Sequence, residues 1–247
     1  MRATGVPVVL IHGVGLDHTM WDAVVKSLPH RRTITYDLIG HGRAVAPAGP
    51  YTLQTFVDQL TGIVDSLDTE IDLVGFSMGA MIAQGFALER GSSTIRKMVL
   101  LNGVHARTDA ERQAIVDRVA EVRAGRFAAS VEHALQRWFT PGFAAARPAV
   151  VDDVRQRLHA NDVRSYGDAY EVFATADAVL ASRSGQITTP TLVATGGEDQ
   201  RSTPAMAEAL AALLPNGQSV ILAGLRHLTP LESPTEVANL IDTFTGS

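Results

Sequence analysis

The sequence predicts an α/β fold in which a mostly parallel sheet is flanked by helices. Short apolar runs that suit strands buried on both faces alternate with longer stretches whose apolar residues recur at helical spacing. This alternation implies right-handed crossovers and a doubly wound sheet. With 247 residues, the chain suits one sizeable domain, or a core with a substantial insertion.

The predicted elements alternate strictly over the first hundred residues. Strands are expected at 7–11, 33–37, 71–74 and 95–101, and helices at 18–28, at 53–67 and from the end of the third strand to about Arg90. The same rhythm returns near the C-terminus. There we expect strands at 189–195 and 219–222, a helix at 204–214 and a last helix that begins at Ser233.

Residues 105–185 interrupt this rhythm, because their pattern is helical throughout. Helices are predicted at 109–124, 128–139, 148–160 and 165–181. Long excursions between sheet elements usually carry function. We therefore interpret residues 105–185 as a helical cap over the carboxyl edge of the sheet, inserted into a core formed by residues 1–104 and 186–247. A helical decoration without substrate contact is the alternative.

The composition excludes several classes of protein. A net charge of −5 argues against a surface for nucleic acid or anionic membranes. The absence of cysteine excludes disulfides, thiolate metal sites and a cysteine nucleophile. The apolar run near the N-terminus is too short for a signal peptide, and no segment reaches membrane-spanning length. We therefore expect a cytoplasmic protein with neither nucleic-acid nor membrane partners.

The motif Gly75-x-Ser77-x-Gly79 lies between a predicted strand and a predicted helix. In that context the motif is typical of a nucleophile elbow, a sharp turn that exposes a serine in a strained backbone conformation. The turn requires small residues two positions before and after the serine, and both are glycine. A glycine-bearing turn without catalytic function is the alternative. The serine needs a base, because a hydroxyl is otherwise a weak nucleophile.

Two further polar residues follow strands and complete a catalytic set. Catalytic groups of such sheets gather beyond the carboxyl ends of the strands, where Ser77, Asp199 and His227 occur in the order nucleophile, acid, base. We expect His227 to accept the serine proton and Asp199 to orient the imidazole. The neighbouring Glu198 is an alternative acid, and a surface histidine is the alternative for His227.

The segment His12-Gly13-Val14-Gly15 follows the first predicted strand. Its glycines allow the loop to approach the elbow closely, and we expect His12 to be structural. The backbone amide of Val14 and that of Met78, the residue after the nucleophile, are the predicted oxyanion hole.

These motifs resemble those of the α/β-hydrolase superfamily over nearly the whole chain. The shared motifs are His12-Gly13-x-Gly15, Asp37-x-x-Gly40-x-Gly42, Gly75-x-Ser77-x-Gly79, the turn at Asp199, and His227-x-x-x-x-Glu232-x-Pro234. Within this superfamily the chain is most similar to the 3-oxoadipate enol-lactonases. The segments that carry this likeness are Gly49-Pro50-Tyr51-Thr52-Leu53, Ser77-Met78-Gly79 with Met81-Ile82, and Arg137-Trp138-Phe139-Thr140-Pro141-Gly142-Phe143.

The resemblance implies further expectations about the site. Arg137 and Trp138 of the cap would face an anionic substrate, and neither a metal nor an organic cofactor is implied. The N-terminal antiparallel hairpin common in relatives is expected to be missing. Arg226 stands where the wider superfamily often has glycine. The other arginines of the cap are matched in number by its acids, so we expect no general positive surface there.

The functional hypothesis is a serine hydrolase that cleaves a small ester or lactone bearing a carboxylate, through an acyl-enzyme. An enol-lactone from the degradation of aromatic compounds is one such substrate. The alternatives are a carbon–carbon bond hydrolase acting on ring-cleavage diketones, and an amide or enamine hydrolase with the same triad. A hydrolase-fold protein that only binds a ligand is an alternative of another class. The oligomeric state is left open.

Overall fold

A computed structural model describes residues 5–246, and a six-stranded sheet forms its centre. The strands are β1 (Val8–Ile11), β2 (Thr33–Thr35), β3 (Ile71–Phe76), β4 (Ile95–Leu101), β5 (Thr191–Gly196) and β6 (Gly217–Leu222). They lie in the order β2-β1-β3-β4-β5-β6, and every neighbouring pair is parallel. The predicted parallel α/β sheet is therefore confirmed. Residues 1–4 and 247, which the predicted core boundaries include, lie outside the described part.

The helices of the core connect these strands. They are α1 (Asp22–Lys26), α2 (Leu53–Asp65), α3 (Met78–Arg90), α9 (Pro204–Leu213), α10 (Thr229–Glu232) and α11 (Pro234–Gly246). Helix α3 packs on β3 and β4, whereas α9 packs on β5 and β6. The strands β1 and β3 are buried along their whole length, which explains the continuous apolar sequence of β1 and the mostly apolar sequence of β3, interrupted only by Asp72.

Two predicted elements of the core are shorter than expected. The helix expected at 18–28 is a 3₁₀ turn, His18–Trp21, followed by the five residues of α1. The second strand ends at Thr35 instead of residue 37. The reason is its position at the edge of the sheet, where its pairing with β1 ends at Leu10 and Thr35.

Five helices lie between β4 and β5. They are α4 (Asp109–Arg123), α5 (Phe127–Trp138), α6 (Pro141–Ala146), α7 (Pro148–Ala160) and α8 (Val163–Ala181). The short α6 was not predicted. The predicted start of α8 at Ser165 was wrong because the side chain of Asp162 accepts a hydrogen bond from the Ser165 amide and so caps the helix two residues earlier. Hereafter, residues 105–185 are called the helical segment.

No helix between residues 5 and 246 combines the length and the apolar character that a bilayer crossing requires.

Candidate active site

Ser77 sits in the sharp turn between β3 and α3. Its φ of 53° lies in the left-handed region, which is strained for a non-glycine residue. A Cβ on Gly75 would lie 2.3 Å from the carbonyl oxygen of Gly79, and a Cβ on Gly79 would lie 2.5 Å from that of Ile11. Both positions therefore exclude any larger residue, as the motif predicted.

The structure brings Ser77, His227 and Asp199 into one hydrogen-bonded chain. His227 Nε2 lies 3.2 Å from Ser77 Oγ, and His227 Nδ1 lies 2.7 Å from Asp199 Oδ2. Because a carboxylate only accepts hydrogen bonds, Nδ1 carries the proton of the neutral ring. The lone pair of Nε2 then faces the serine hydroxyl, which is the arrangement that proton abstraction requires.

Asp199 is held by three further groups besides His227. Its Oδ1 accepts the backbone N–H groups of Arg201 and Ser202, both at 3.0 Å, and its Oδ2 accepts Asn102 Nδ2 at 3.0 Å. Burial raises the pKa of Asp199, but the charge of His227 and these hydrogen bonds outweigh it, so the pKa is lowered from its ordinary value. Asp199 therefore stays ionised.

Glu198, the alternative acid, does not contact His227. Its carboxylate lies 3.7 Å from Arg226 Nε, and its side chain is 53% exposed. Of the two neighbouring acids, only Asp199 hydrogen-bonds the imidazole.

Asn102 supports the acid and was missed by the sequence analysis. It directly follows β4, is fully buried, and has a positive φ of 49°. Besides donating to Asp199, its side-chain oxygen accepts the hydroxyl of Thr229 at 2.6 Å. The rule that polar groups gather beyond the carboxyl ends of parallel strands applies to Asn102 as well as to Ser77, and would have found it.

The loop after β1 packs directly against Ser77. A Cβ on Gly13 would lie 3.1 Å from Ser77 Cβ, and Val14 lines the same cavity as Ser77. Met78 is the first residue of α3, where helix amides lack intrahelical acceptors. Within the described residues, no backbone carbonyl accepts from the amide of Val14 or Met78. Both N–H groups are thus available to an oxygen next to Ser77.

His12 is buried in this loop and is uncharged. Its Nε2 accepts the amide N–H of Leu38 at 2.9 Å, and its Nδ1 donates to the carbonyl of Gly13 at 2.8 Å. Burial, helped by the neighbouring His41, lowers the pKa of His12 to about 3. The hydrogen bond from Leu38 links the loop after β1 to the loop after β2, which agrees with the structural role expected of His12.

A cavity of about 840 Å³, counted with its opening to solvent, lies between the core and the helical segment. Ser77, His227, Arg137 and Trp138 all line it. The ring of Trp138 lies 5.8 Å from that of His227, centroid to centroid. The structure thus places both predicted residues of the helical segment in the cavity that Ser77 and His227 line.

The charge of this cavity differs from the expectation. Four arginines line it, at positions 107, 118, 137 and 201, whereas the only acids that line it between residues 5 and 246 are Glu111 and the Asp199 that pairs with His227. The equal number of acids in the helical segment was misleading because many of them pair with arginines elsewhere. Examples are Asp168 and Glu171 with Arg123, and Glu132 and Asp152 with Arg155.

Arg226 and Glu232 join the histidine loop to the helical segment. Arg226 Nη1 donates to the carbonyls of Gln136 and Phe139, at 2.9 and 3.0 Å. The Glu232 carboxylate accepts the amide of Arg226 at 2.8 Å and both the amide and the hydroxyl of Thr140 at 2.7 Å. These bonds hold the end of α5, which carries Arg137 and Trp138, against the loop of His227. The sequence motifs did not reveal this contact.

Comparison with known proteins identifies the family. The model of the alpha/beta hydrolase family matches residues 8–240. The chain belongs to this family. It is 33% identical to the (E)-2-((N-methylformamido)methylene)succinate hydrolase of Acinetobacter baylyi over 96% of the chain and 89% of that relative. It is 26% identical to 3-oxoadipate enol-lactonase 2 of the same organism, over 90% of the chain and 82% of that enzyme.

The fold of the family is also shared. The crystal structure of the enol-lactonase from Burkholderia xenovorans LB400 superposes with a TM-score of 0.91 and 27% identity, over all of this chain and 94% of that one. The predicted resemblance to enol-lactonase-like hydrolases is confirmed, and a general hydrolase activity follows from these similarities.

Proposed function

We propose that this member of the alpha/beta hydrolase family is a serine hydrolase that cleaves a small carboxylic ester or lactone bearing a carboxylate. The observation that supports this most strongly is the hydrogen-bonded chain from Ser77 Oγ through His227 to the buried Asp199, with distances of 3.2 and 2.7 Å. It lies at a cavity between the core and the helical segment that four arginines line.

In the proposed reaction His227 Nε2 takes the proton of Ser77 while Oγ attacks the carbonyl carbon. The amides of Val14 and Met78 stabilise the negative oxygen of the tetrahedral intermediate. His227 returns the proton to the leaving oxygen as the carbon–oxygen bond breaks, which gives an acyl-enzyme. Water then loses a proton to His227 and attacks the acyl carbon, and Ser77 regains that proton as the acid leaves.

Arg137 is the residue proposed to bind the substrate carboxylate. It lines the cavity beside Ser77, and within residues 5–246 no carboxylate lies within 4.0 Å of its guanidinium group. Its Nε is buried without a hydrogen-bond partner. Burial, together with the charge of Arg118, lowers the pKa of Arg137. A bound carboxylate would supply both the missing acceptor and the missing charge through a forked contact.

Cleavage of an amide-type carbon–nitrogen bond is the second candidate function. It is favoured by the relative with 33% identity, whose name describes the hydrolysis of a formamido-substituted succinate. The same triad serves this reaction if His227 protonates the leaving nitrogen instead of an oxygen. Hydrolysis of a carbon–carbon bond is a further alternative, and activity on a ring-cleavage diketone would identify it.

Labelling with a fluorophosphonate tests the catalytic proposal. The wild-type chain should gain the mass of one adduct on Ser77, and Ser77→Ala should gain none. An unlabelled wild type would instead support a ligand-binding protein without catalysis. If the wild type forms the adduct, untreated enzyme is then screened against matched lactones, aryl esters, formamides and ring-cleavage diketones, with Ser77→Ala as the background. The fastest class decides between the candidate functions.

The variant Arg137→Gln tests carboxylate binding. A charge-assisted hydrogen bond contributes about 1.5–3 kcal/mol, so kcat/KM for an anionic ester should fall roughly 10–150-fold. A neutral ester of similar size should be little affected. Arg164→Gln, which removes an exposed arginine outside the cavity, is the control for net charge. Equal losses on both esters, with a lower melting temperature, would assign Arg137 a structural role instead.

A further inference from the structure

Arg118 of α4 is a second half-buried arginine that lines the cavity without a carboxylate partner. Its Nη1 donates to the hydroxyl of Tyr170 at 3.0 Å, and Tyr170 lines the same cavity. Among the described residues, no carboxylate oxygen lies within 4.0 Å of this guanidinium group. The neutral hydroxyl orients the guanidinium group, and the charge of Glu121 acts on it only from beyond 4.0 Å, so that no direct ion pair holds Arg118 among the described residues.

The other arginines of the helical segment are accounted for differently. Most pair with a carboxylate, and three without such a partner are exposed to water. The paired arginines are at 107, 112, 123, 126, 155 and 157, and the exposed ones are at 147, 164 and 183. Only Arg118 and Arg137 are half-buried and lack an acid, and both line the cavity that holds Ser77.

The acids around this cavity do not neutralise the two arginines. Asp177 pairs with Arg107 and Arg112, and Asp199 pairs with His227. The carboxylate of Glu111 accepts the amide and hydroxyl of Thr108 at the start of α4, which lowers its pKa and fixes it there. Glu121, on the helix of Arg118, lies 4.0 Å from Arg126.

Two like charges in a partly desolvated cavity repel each other, and this costs free energy unless a ligand supplies the opposite charge. The charge of Arg118 is close enough to contribute to the lowered pKa of Arg137. One carboxylate can be shared by two arginines, as Asp177 is by Arg107 and Arg112, but each arginine then contacts a single oxygen instead of forming a bidentate contact. Bidentate contacts to the guanidinium groups of both Arg118 and Arg137 therefore require two carboxylates.

We propose that the substrate is a dianion with two carboxylates, and that Arg118, oriented by Tyr170, binds the second while Arg137 binds the first. The claim that the two carboxylates belong to a substrate rests on the proposed function. The binding of two carboxylates can nevertheless be measured without any reaction. Arg118 is then a specificity-determining residue and Tyr170 a positioning residue.

Calorimetric titration of the full chain tests the proposal. Succinate, glutarate and adipate are compared with the monocarboxylates butyrate and valerate and with neutral dimethyl glutarate. The wild type should bind the best-fitting dicarboxylate roughly 10–150-fold more tightly than a monocarboxylate of matched length. Arg118→Gln should abolish that preference and leave monocarboxylate binding within a few-fold. Arg164→Gln, with the same change in net charge outside the cavity, should keep the preference.

Two further variants keep the test decisive if Arg118→Gln folds poorly. Arg118→Lys retains the charge but not the fork, so it should lose part of the preference. Tyr170→Phe removes only the hydroxyl and should weaken dicarboxylate binding selectively. A wild type without preference for dicarboxylates, or an Arg118→Gln variant that retains it, would overturn the proposal. Failure of the hydrolase proposal is seen separately, as a missing fluorophosphonate adduct on Ser77.

Discussion

The two ends of the parallel sheet each hold a buried aspartate, and the two are used differently. Asp72 lies near the amino end of β3, where its Oδ2 accepts Arg31 Nη2 and Arg96 Nη2, both at 2.6 Å. Asp199 lies beyond the carboxyl end of β5 and accepts the imidazole of His227 at 2.7 Å. Asp72 pairs with two arginines, which stay charged, whereas Asp199 contacts an imidazole, which can gain and lose a proton.

The surroundings of the two carboxylates explain this difference. Burial raises the pKa of Asp72 in spite of its two arginines, and its Oδ1 has no hydrogen-bond partner. Asp199 is also buried, but amide and side-chain donors on both oxygens help to lower its pKa. The amino end thus holds strands together through ion pairs, while the carboxyl end fixes a carboxylate in one orientation. Complete hydrogen bonding of the carboxylate, and not burial alone, distinguishes the candidate catalytic acid.

The largest expected effects come from the carboxyl end. Ser77→Ala and His227→Ala should each lower turnover of an aryl ester by about 10⁴–10⁶-fold, and the double variant little further, because the two act as a unit. Asp199→Asn should lower it by about 10⁴-fold, since an amide favours the wrong imidazole tautomer. Steady-state kinetics above the spontaneous rate measures all four variants.

Glu198→Gln is the matched control for the acid. Because Glu198 is half-exposed and does not contact His227, its variant should stay within a few-fold of the wild type. Near-normal activity in Asp199→Asn together with a large loss in Glu198→Gln would transfer the role of the acid to Glu198.

The amino end should show the opposite behaviour. Asp72→Asn leaves Arg31 and Arg96 without their shared counter-charge, and breaking a buried pair in this way costs about 3–5 kcal/mol. We expect the lower part of that range, because Arg96 is partly exposed and Arg31 also contacts Asp242. Urea unfolding should show the loss in the free energy of unfolding, while kcat below the unfolding transition stays unchanged. A fall in kcat without a change in stability would contradict the division between the two ends.

The same contrast explains how far the sequence alone was informative. The order of Ser77, Asp199 and His227 depends on short motifs next to strands, and strands that are buried on both faces are recognisable as continuous apolar runs. The small residues of the elbow follow from local sterics. These features are encoded over a few neighbouring residues, and so the fold and the candidate triad could be predicted.

The missed features depend on contacts between distant parts of the chain. Asn102 and Asp199 are 97 positions apart, and Arg226 and Gln136 are 90 apart. Counting the acids and bases of the helical segment could not reveal that Arg118 and Arg137 lack partners, because pairing depends on how the helices pack. The short α6 lies below the length at which apolar periodicity is readable.

A smaller effect should come from two buried histidines near the carboxyl end. Burial lowers the pKa of His12 to about 3 and that of His41 to about 4. Both values lie below the ordinary histidine value of about 6.5, so between pH 6.5 and about 4 the unfolded chain binds protons that the folded chain does not. The two histidines therefore do not lower the free energy of unfolding above this pH range, and they lower it increasingly as the pH decreases through the range.

The slope of stability against pH measures this effect. Between pH 6 and 5, each of these histidines should lower the free energy of unfolding by up to about 1.4 kcal/mol. His41→Gln should remove one proton's share of the slope because glutamine does not titrate, whereas loss of the Nδ1 hydrogen bond to the carbonyl of Ile39 affects only the absolute stability. His133→Gln, which replaces an exposed histidine, is the control variant. An equal slope in wild type and His41→Gln would show that His41 is protonated in the folded protein, and that burial at this end does not keep it neutral.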